Sequence, residues 1–335
     1  ETSQTGNLIV GMFRHNTSRD LDPQTHTHAV IMNATMRDDG QWRSLHNDAL
    51  YTDQKVIGAI YNSELASRLQ KAGYELTRTD DKGNFEIKGI SREQIEAFST
   101  RRAEIEKALA DKGIDINNAT PEQKEVATLA TRSRKTEVNH DQLIGDWKAK
   151  ASQVGIDFDS ITQRAEQQRA RGGVDSPDQI SGKRAMVFAA AHLVEREAVV
   201  TKQELLTSAI THGVGRVSAA EVQKAFKQLE ANGSLIKLPD GNYTTKQMLG
   251  SEKWALDQVR GTKGQTPGLM QPEVVAAKLQ QAEAKQGFSY TQGQREAVVA
   301  VLTTKDRYVA VQGLAGTGKT TMLKSLREIA QDHGY

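Results

Sequence analysis

Residues 313–320 read Gly-Leu-Ala-Gly-Thr-Gly-Lys-Thr, and few octapeptides restrict a fold as tightly. Glycines let consecutive backbone N–H groups curl around a phosphate, and the N-terminus of a following helix adds partial positive charge. Lys319 is placed to reach the terminal phosphates and Thr320 to ligate Mg²⁺. Such a loop works only between a strand and a helix. The apolar run Tyr-Val-Ala-Val at 308–311 predicts that strand, and the segment from Lys319 onward predicts the helix. A parallel sheet cannot be built from one strand, and the sequence closes at Tyr335 with no Walker B carboxylate or arginine finger. The expectation is the start of an α/β P-loop domain that stops after its first helix.

Composition sets the outer bounds. A chain of 335 residues leads one to expect two or three domains, and no apolar run approaches the roughly 20 residues a membrane span needs. The absence of cysteine excludes disulfides and thiolate metal sites, so any metal is held by histidine or carboxylate, and a reducing, cytoplasmic setting is expected. With a net charge of only +2, nucleic-acid binding would have to come from local basic patches. The opening "ETSQTG" has neither an initiator methionine nor a signal peptide, which suggests a fragment or a processed product.

Ahead of the P-loop the chain reads as alternating short strands and helices. "NLIVGMFRHNTSR" and "THTHAVIMNATM" are strand-like, and "RDDG" before "QWRSL" is a hairpin signal, giving at least three strands. Val56, Ile57, Ile60, Tyr61, Leu65 and Leu69 follow one helical face, and a second hairpin is centred on Lys82-Gly83-Asn84. Ser91 to Gln94 is a capping-box pattern that predicts a single helix through "IEAFSTRRAEIEKALA". Two further helices are expected in "PEQKEVATLATRSRK" and "DQLIGDWKAKASQVG". Residues 171–182, rich in Gly, Ser and Pro, read as the main linker.

Beyond it, residues 183–248 hold three helical patterns and a hairpin around Asp240-Gly241, with capping boxes at Thr201 to Glu204 and Ser218 to Glu221. Three helices and a hairpin make a winged-helix-like module. Lys224 and Lys227 on its third helix are candidate phosphate contacts, opposed by Glu221 and Glu230, and a plain packing or spacer role stays open.

Two of the eight histidines, His26 and His28, stand one residue apart, and His15 lies a short way upstream. On a strand His26 and His28 share a face, and antiparallel pairing can bring His15 opposite them. Three imidazoles converging from adjacent strands form a neutral cradle that leaves metal positions open for phosphate oxygens, which suits catalysis. A surface His-x-His pair is the alternative reading.

The strings "FRHNTSRDLDPQTHTHAVIMN", "GQWRSL", "QIEAFSTRRAEI" and "RSRKTEVNHDQLIGDW" resemble the conjugative relaxases of the TrwC/TraI type (MOB-F). These are HUH endonucleases joined in one chain to a superfamily 1 helicase, and the likeness runs over most of residues 5 to 160. Thr27 stands where the general HUH pattern has a hydrophobic residue, and the TrwC/TraI type is similar in this. Thr291 and Gln294, opening a helix before the P-loop, resemble the adenine-reading glutamine motif of the same helicases.

The resemblance implies an α+β relaxase domain at 1–170 without its N-terminal part, the linker, the winged-helix-like module, and the start of a RecA-like helicase ATPase domain at 249–335. It implies strand-specific nicking of single-stranded plasmid DNA at an origin of transfer through a phosphotyrosine. A divalent metal (Mg²⁺ or Mn²⁺, with Zn²⁺ as the alternative) would sit on His15, His26 and His28. ATP with Mg²⁺ would be held by Gly313, Gly316, Thr317, Gly318, Lys319, Thr320 and Gln294. The conjugation machinery is the implied partner, and no membrane insertion is expected. The family's nucleophilic tyrosines precede the histidines, whereas Tyr51, Tyr61, Tyr74, Tyr243, Tyr290, Tyr308 and Tyr335 all follow them, so no nucleophile is assigned. Alternatives are an HUH rolling-circle replication initiator and a non-catalytic DNA-binding protein.

Overall fold

The structure, a computed structural model, describes residues 3–131, 139–174 and 180–335. The end of the helix expected through Lys135 and residues 175–179 of the expected linker lie outside the described residues. The chain divides into two compact units, Glu1–Tyr243 and Thr244–Tyr335.

In the first unit β1 (Val10–Thr17) and β2 (Pro23–Ile31) form an antiparallel ribbon. Its register pairs Val10 with Ile31, Met12 with Ala29, Phe13 with His28 and His15 with His26. Both faces carry exposed apolar side chains, Met12 being 66% exposed. The "RDDG" hairpin is a separate two-stranded ribbon of β3 (Thr35–Met36) and β4 (Trp42–Arg43), so it does not extend the histidine-bearing pair.

The short α1 (Asp48–Thr52) leads into α2 (Gln54–Lys71), which buries Val56, Ala59, Ser63 and Ala66 at helical spacing. The next hairpin is β5 (Leu76–Arg78) and β6 (Phe85–Ile87). The single helix expected after Ser91 is two, α3 (Arg92–Ala97) and α4 (Thr100–Ala110). The break has a distant cause. The carboxylate of Asp22 accepts from the backbone N–H of Thr100 at 2.8 Å and from its hydroxyl at 2.9 Å, capping a new helix where the old one would have run on. Three more helices follow: α5 (Pro121–Ala130), α6 (His140–Gln153) and α7 (Phe158–Ala170).

The main core lies further along. α8 (Gly182–Val194), α9 (Lys202–Gly213) and α10 (Ala219–Ala231) pack around Met186, Leu205, Ile210, Val222, Phe226 and Leu229. β7 (Leu235–Lys237) and β8 (Tyr243–Thr245) form the hairpin after them. Val56 and Ala59 of α2 belong to this same core.

The second unit is helical: α11 (Lys246–Gly261), α12 (Pro272–Gln286), α13 (Gln292–Thr303) and α14 (Lys319–Gln331). Its core is Val275, Leu279, Tyr290, Val298, Leu302, Met322 and Ile329. The strand expected at 308–311 does not form. No strand pairs with this segment among the described residues, and Tyr308, Val309 and Val311 stay exposed. A lone β segment leaves its ladder hydrogen bonds to water and gains no pairing energy.

Candidate metal centre and phosphate-binding loop

The β1–β2 register places His15 directly across from His26, and His28 two residues further along the same face. The ring centres of His15 and His26 lie 5.4 Å apart, and His28 lies 5.0 Å from each. His26 is half-buried, while His15 and His28 are exposed. The Nδ1 of His26 lies 3.0 Å from the carbonyl of Gln24, which can only accept, so Nδ1–H is the donor and Nε2 is the nitrogen left to face a metal. That is the arrangement by which ligating histidines are usually oriented.

The spacing suits an ion, since nitrogens at about 2.0–2.1 Å from a metal put three ring centres roughly 5 Å from one another. Ring orientation does not yet suit one. The His15 and His26 planes are within 19° of parallel, and among the described residues no three His, Asp or Glu side chains are disposed to hold a metal together. Rotation of one or more rings about χ2, a soft torsion, would be needed.

What fixes the strand is the bend before it. Leu21 takes a left-handed conformation at φ 64°, the one non-glycine residue with positive φ among those described. Its carbonyl accepts from the indole N–H of Trp147 at 2.8 Å. The Ser18 N–H donates to the Asp22 carbonyl at 2.9 Å, closing the turn. Asp22 is buried, capping α4, with the Lys150 ammonium 3.9 Å from its carboxylate. The Arg101 guanidinium lies 3.8 Å from Asp20. Sequence reasoning did not single out Asp20, Asp22, Arg101 or Trp147. The Asp-Leu-Asp-Pro turn chemistry was visible, but its partners lie 78 and 126 residues away.

Tyr51, 75% exposed, shares a shallow hollow with Ala29 and Ile31. Met32 and Leu45 line the same hollow, at the far end of β2 from His26.

In the second unit the loop takes the curled form its glycines allow. Gly316 and Gly318 have φ of 77° and 73°, a region costly for other residues, and Gly318 is the N-cap of α14. The Lys319 stem lies against Gly313, and its ammonium donates to the carbonyls of Gly313 at 2.7 Å and Leu314 at 2.6 Å. Thr317 donates to the Leu314 carbonyl at 2.8 Å, and Thr320 is exposed at the helix start. Gln294 accepts from the Thr291 N–H at 2.9 Å and donates to the Thr317 carbonyl at 2.9 Å, tying α13 to the loop. Its amide thus spends one N–H and one oxygen lone pair on protein, which leaves one of each for an adenine edge.

Residues 1–154 match the model of the TrwC relaxase family, and residues 289–335 match an AAA domain model. Multifunctional conjugation protein TraI of Escherichia coli is 32% identical over 223 residues, covering 63% of this chain. TraI of Escherichia coli strain K12 is 31% identical over the same length. The chain spans 12% of the length of these relatives. Among solved structures, the conjugative relaxase TrwC in complex with OriT DNA, metal-free, is 49% identical with a TM-score of 0.44, covering 47% of this chain and 55% of that one. A metal-bound TrwC–OriT structure is 49% identical, also with a TM-score of 0.44, covering 47% and 54%.

Proposed function

We propose that the chain, whose residues 1–154 match the TrwC relaxase family model, is a stretch of a conjugative relaxase-helicase. In this reading residues 1–170 take part in strand-specific nicking of plasmid DNA at an origin of transfer through a phosphotyrosine. Residues 249–335 open the RecA-like ATPase that drives unwinding, and the cytoplasm and the conjugation machinery are its setting. The observation that carries the reading is the gathering of His15, His26 and His28 on one ribbon face at 5.0 to 5.4 Å.

A divalent ion held there supplies electrophilic polarisation of a phosphoryl oxygen. The chain's own residues position what would hold it. The Gln24 carbonyl sets the His26 tautomer, while Trp147 and Asp22 hold the bend from which β2 starts.

Residues 183–248 are read as a winged-helix module. The backbone of Val200 exchanges both hydrogen bonds with Tyr243, at 2.8 and 2.7 Å, adding a bridge to the β7–β8 hairpin as such a module requires. Lys224 and Lys227 on α10 remain its candidate phosphate contacts.

Calorimetric titration with Mn²⁺ tests the central claim. One ion should bind per chain, binding should vanish in the His26→Ala/His28→Ala variant, and His15→Ala should weaken it. Equal affinity in the double variant would remove the metal assignment.

A further inference from the structure

Phe188 lies on the outer side of α8, one turn from Arg184 and one turn from His192. Its ring stacks on that of His212, near the end of α9, with centres 3.7 Å apart and planes at 16°. The His192 ring is parallel to it within 9°, with centres 5.7 Å apart. Three nearly parallel rings therefore stand side by side outside the core, and Phe188 remains 42% exposed.

Guanidinium groups surround this stack. Arg78, from the β5 strand, and Arg216 both donate to the His212 carbonyl, Arg78 at 3.2 Å. The His212 imidazole is held below its ordinary pKa, by burial first and then by the positive fields of Arg216, Arg78 and Arg184. The acidic group that acts on it is Asp81, fully exposed and 3.6 Å from Arg78. Arg78 and Arg216 thus meet on the His212 carbonyl and the field of Arg184 reaches the same ring, so positive charge gathers beside the exposed ring stack. Such a surface is complementary to a ligand that is both anionic and flat.

We propose that this patch binds single-stranded DNA, with a base stacked on the Phe188–His192 rings and phosphates on Arg184, Arg78 and Arg216. A duplex hides base faces inside its own stack, whereas a single strand offers a π-face with every phosphate, so exposed rings among arginines select the single strand. The proposal rests on the reading that this chain handles a single strand. It adds a second hold on that strand, on elements other than the histidine ribbon.

The test is fluorescence anisotropy with a labelled oligothymidylate, which carries no origin sequence. Wild-type protein should bind it more tightly than a duplex of equal length. Phe188→Leu, which keeps an apolar side chain, should weaken binding about tenfold, the effect of losing one base–aromatic stack. Arg184→Gln, at an exposed side chain, should lower the slope of log K against log salt by about 0.7. Gly250→Ala, on α11 and facing open space, should bind the oligomer as wild type does. Unchanged affinity and salt slope in both patch variants, preference for duplex, or no binding by wild type would each overturn the proposal. Failure of Mn²⁺ titration alone would overturn the metal assignment and leave this patch standing.

Discussion

Leu21 shows how much a single position is asked to absorb. A left-handed non-glycine residue costs of order 1–3 kcal/mol and persists only where neighbours over-determine it. Here the Trp147 indole, the Ser18–Asp22 turn and the buried Asp22 do so. Replacing Asp22 with Ala removes the cap of α4 and leaves the Thr100 N–H without its acceptor. A loss of about 1–2 kcal/mol is expected, in the upper range for caps, together with weaker Mn²⁺ binding as β2 loses its anchor. Urea unfolding and metal titration of the same variant would show both. His212 gives a pH dependence. Its folded pKa lies below the ordinary 6.5, so the folded state resists protonation while the unfolded chain accepts a proton near that value. Its contribution to stability is therefore complete above about pH 6.5 and is lost as pH falls through the folded value. The thermal midpoint should decline over that window in wild type and decline less in His212→Gln.

Elements were legible in the sequence where their causes are local. The capping boxes at Ser91, Thr201 and Ser218 all form, because each needs only residues three apart. The hairpins at Gly83 and Gly241 form for the same reason, with φ of 80° and 89° at the turn. The shared face of the three histidines follows from strand alternation. Their ring orientation does not, since it depends on contacts that spacing cannot specify. What sequence reading missed is long-range: the α3–α4 break made by Asp22, and the docking of α2 on α8–α10. Gly182 illustrates the second kind. A β-carbon there would lie 2.3 Å from the Glu221 carbonyl oxygen, so α8 begins directly against the backbone of α10. Gly182→Ala would force two helices apart where no flexible side chain can yield, and overpacking of this kind costs typically 1–3 kcal/mol. Guanidinium chloride unfolding followed by circular dichroism should show a lower midpoint, whereas Gly250→Ala on α11, which meets open space, should not.

At the scale of the whole molecule, the two units differ in how completely their folds support their sites. The first holds the bend before its histidine ribbon from two directions, through Thr100 of α4 and Trp147 of α6. The second presents a phosphate loop attached firmly on one side only. α14 and the Gln294 strut fix its C-terminal half, but residues 308–311 form no strand to fix the entry. The Lys319 ammonium is held by Gly313 and Leu314 of the loop itself. To reach a nucleotide's phosphates it must exchange two carbonyl contacts for phosphate oxygens, and the unanchored residues before it must become ordered at roughly 1–2 kcal/mol each. Affinity for Mg-ATP is therefore expected to be weak, with hydrolysis at background, because no carboxylate among the described residues of this unit is placed to organise Mg²⁺ or water. Equilibrium titration with a fluorescent ATP analogue and a phosphate-release assay give the two readouts. Lys319→Ala should abolish the residual binding, since it removes the charge that meets the terminal phosphates. If the chain instead hydrolyses ATP in a Lys319-dependent way, then something other than a sheet anchors the loop, and the missing strand is not what limits nucleotide binding.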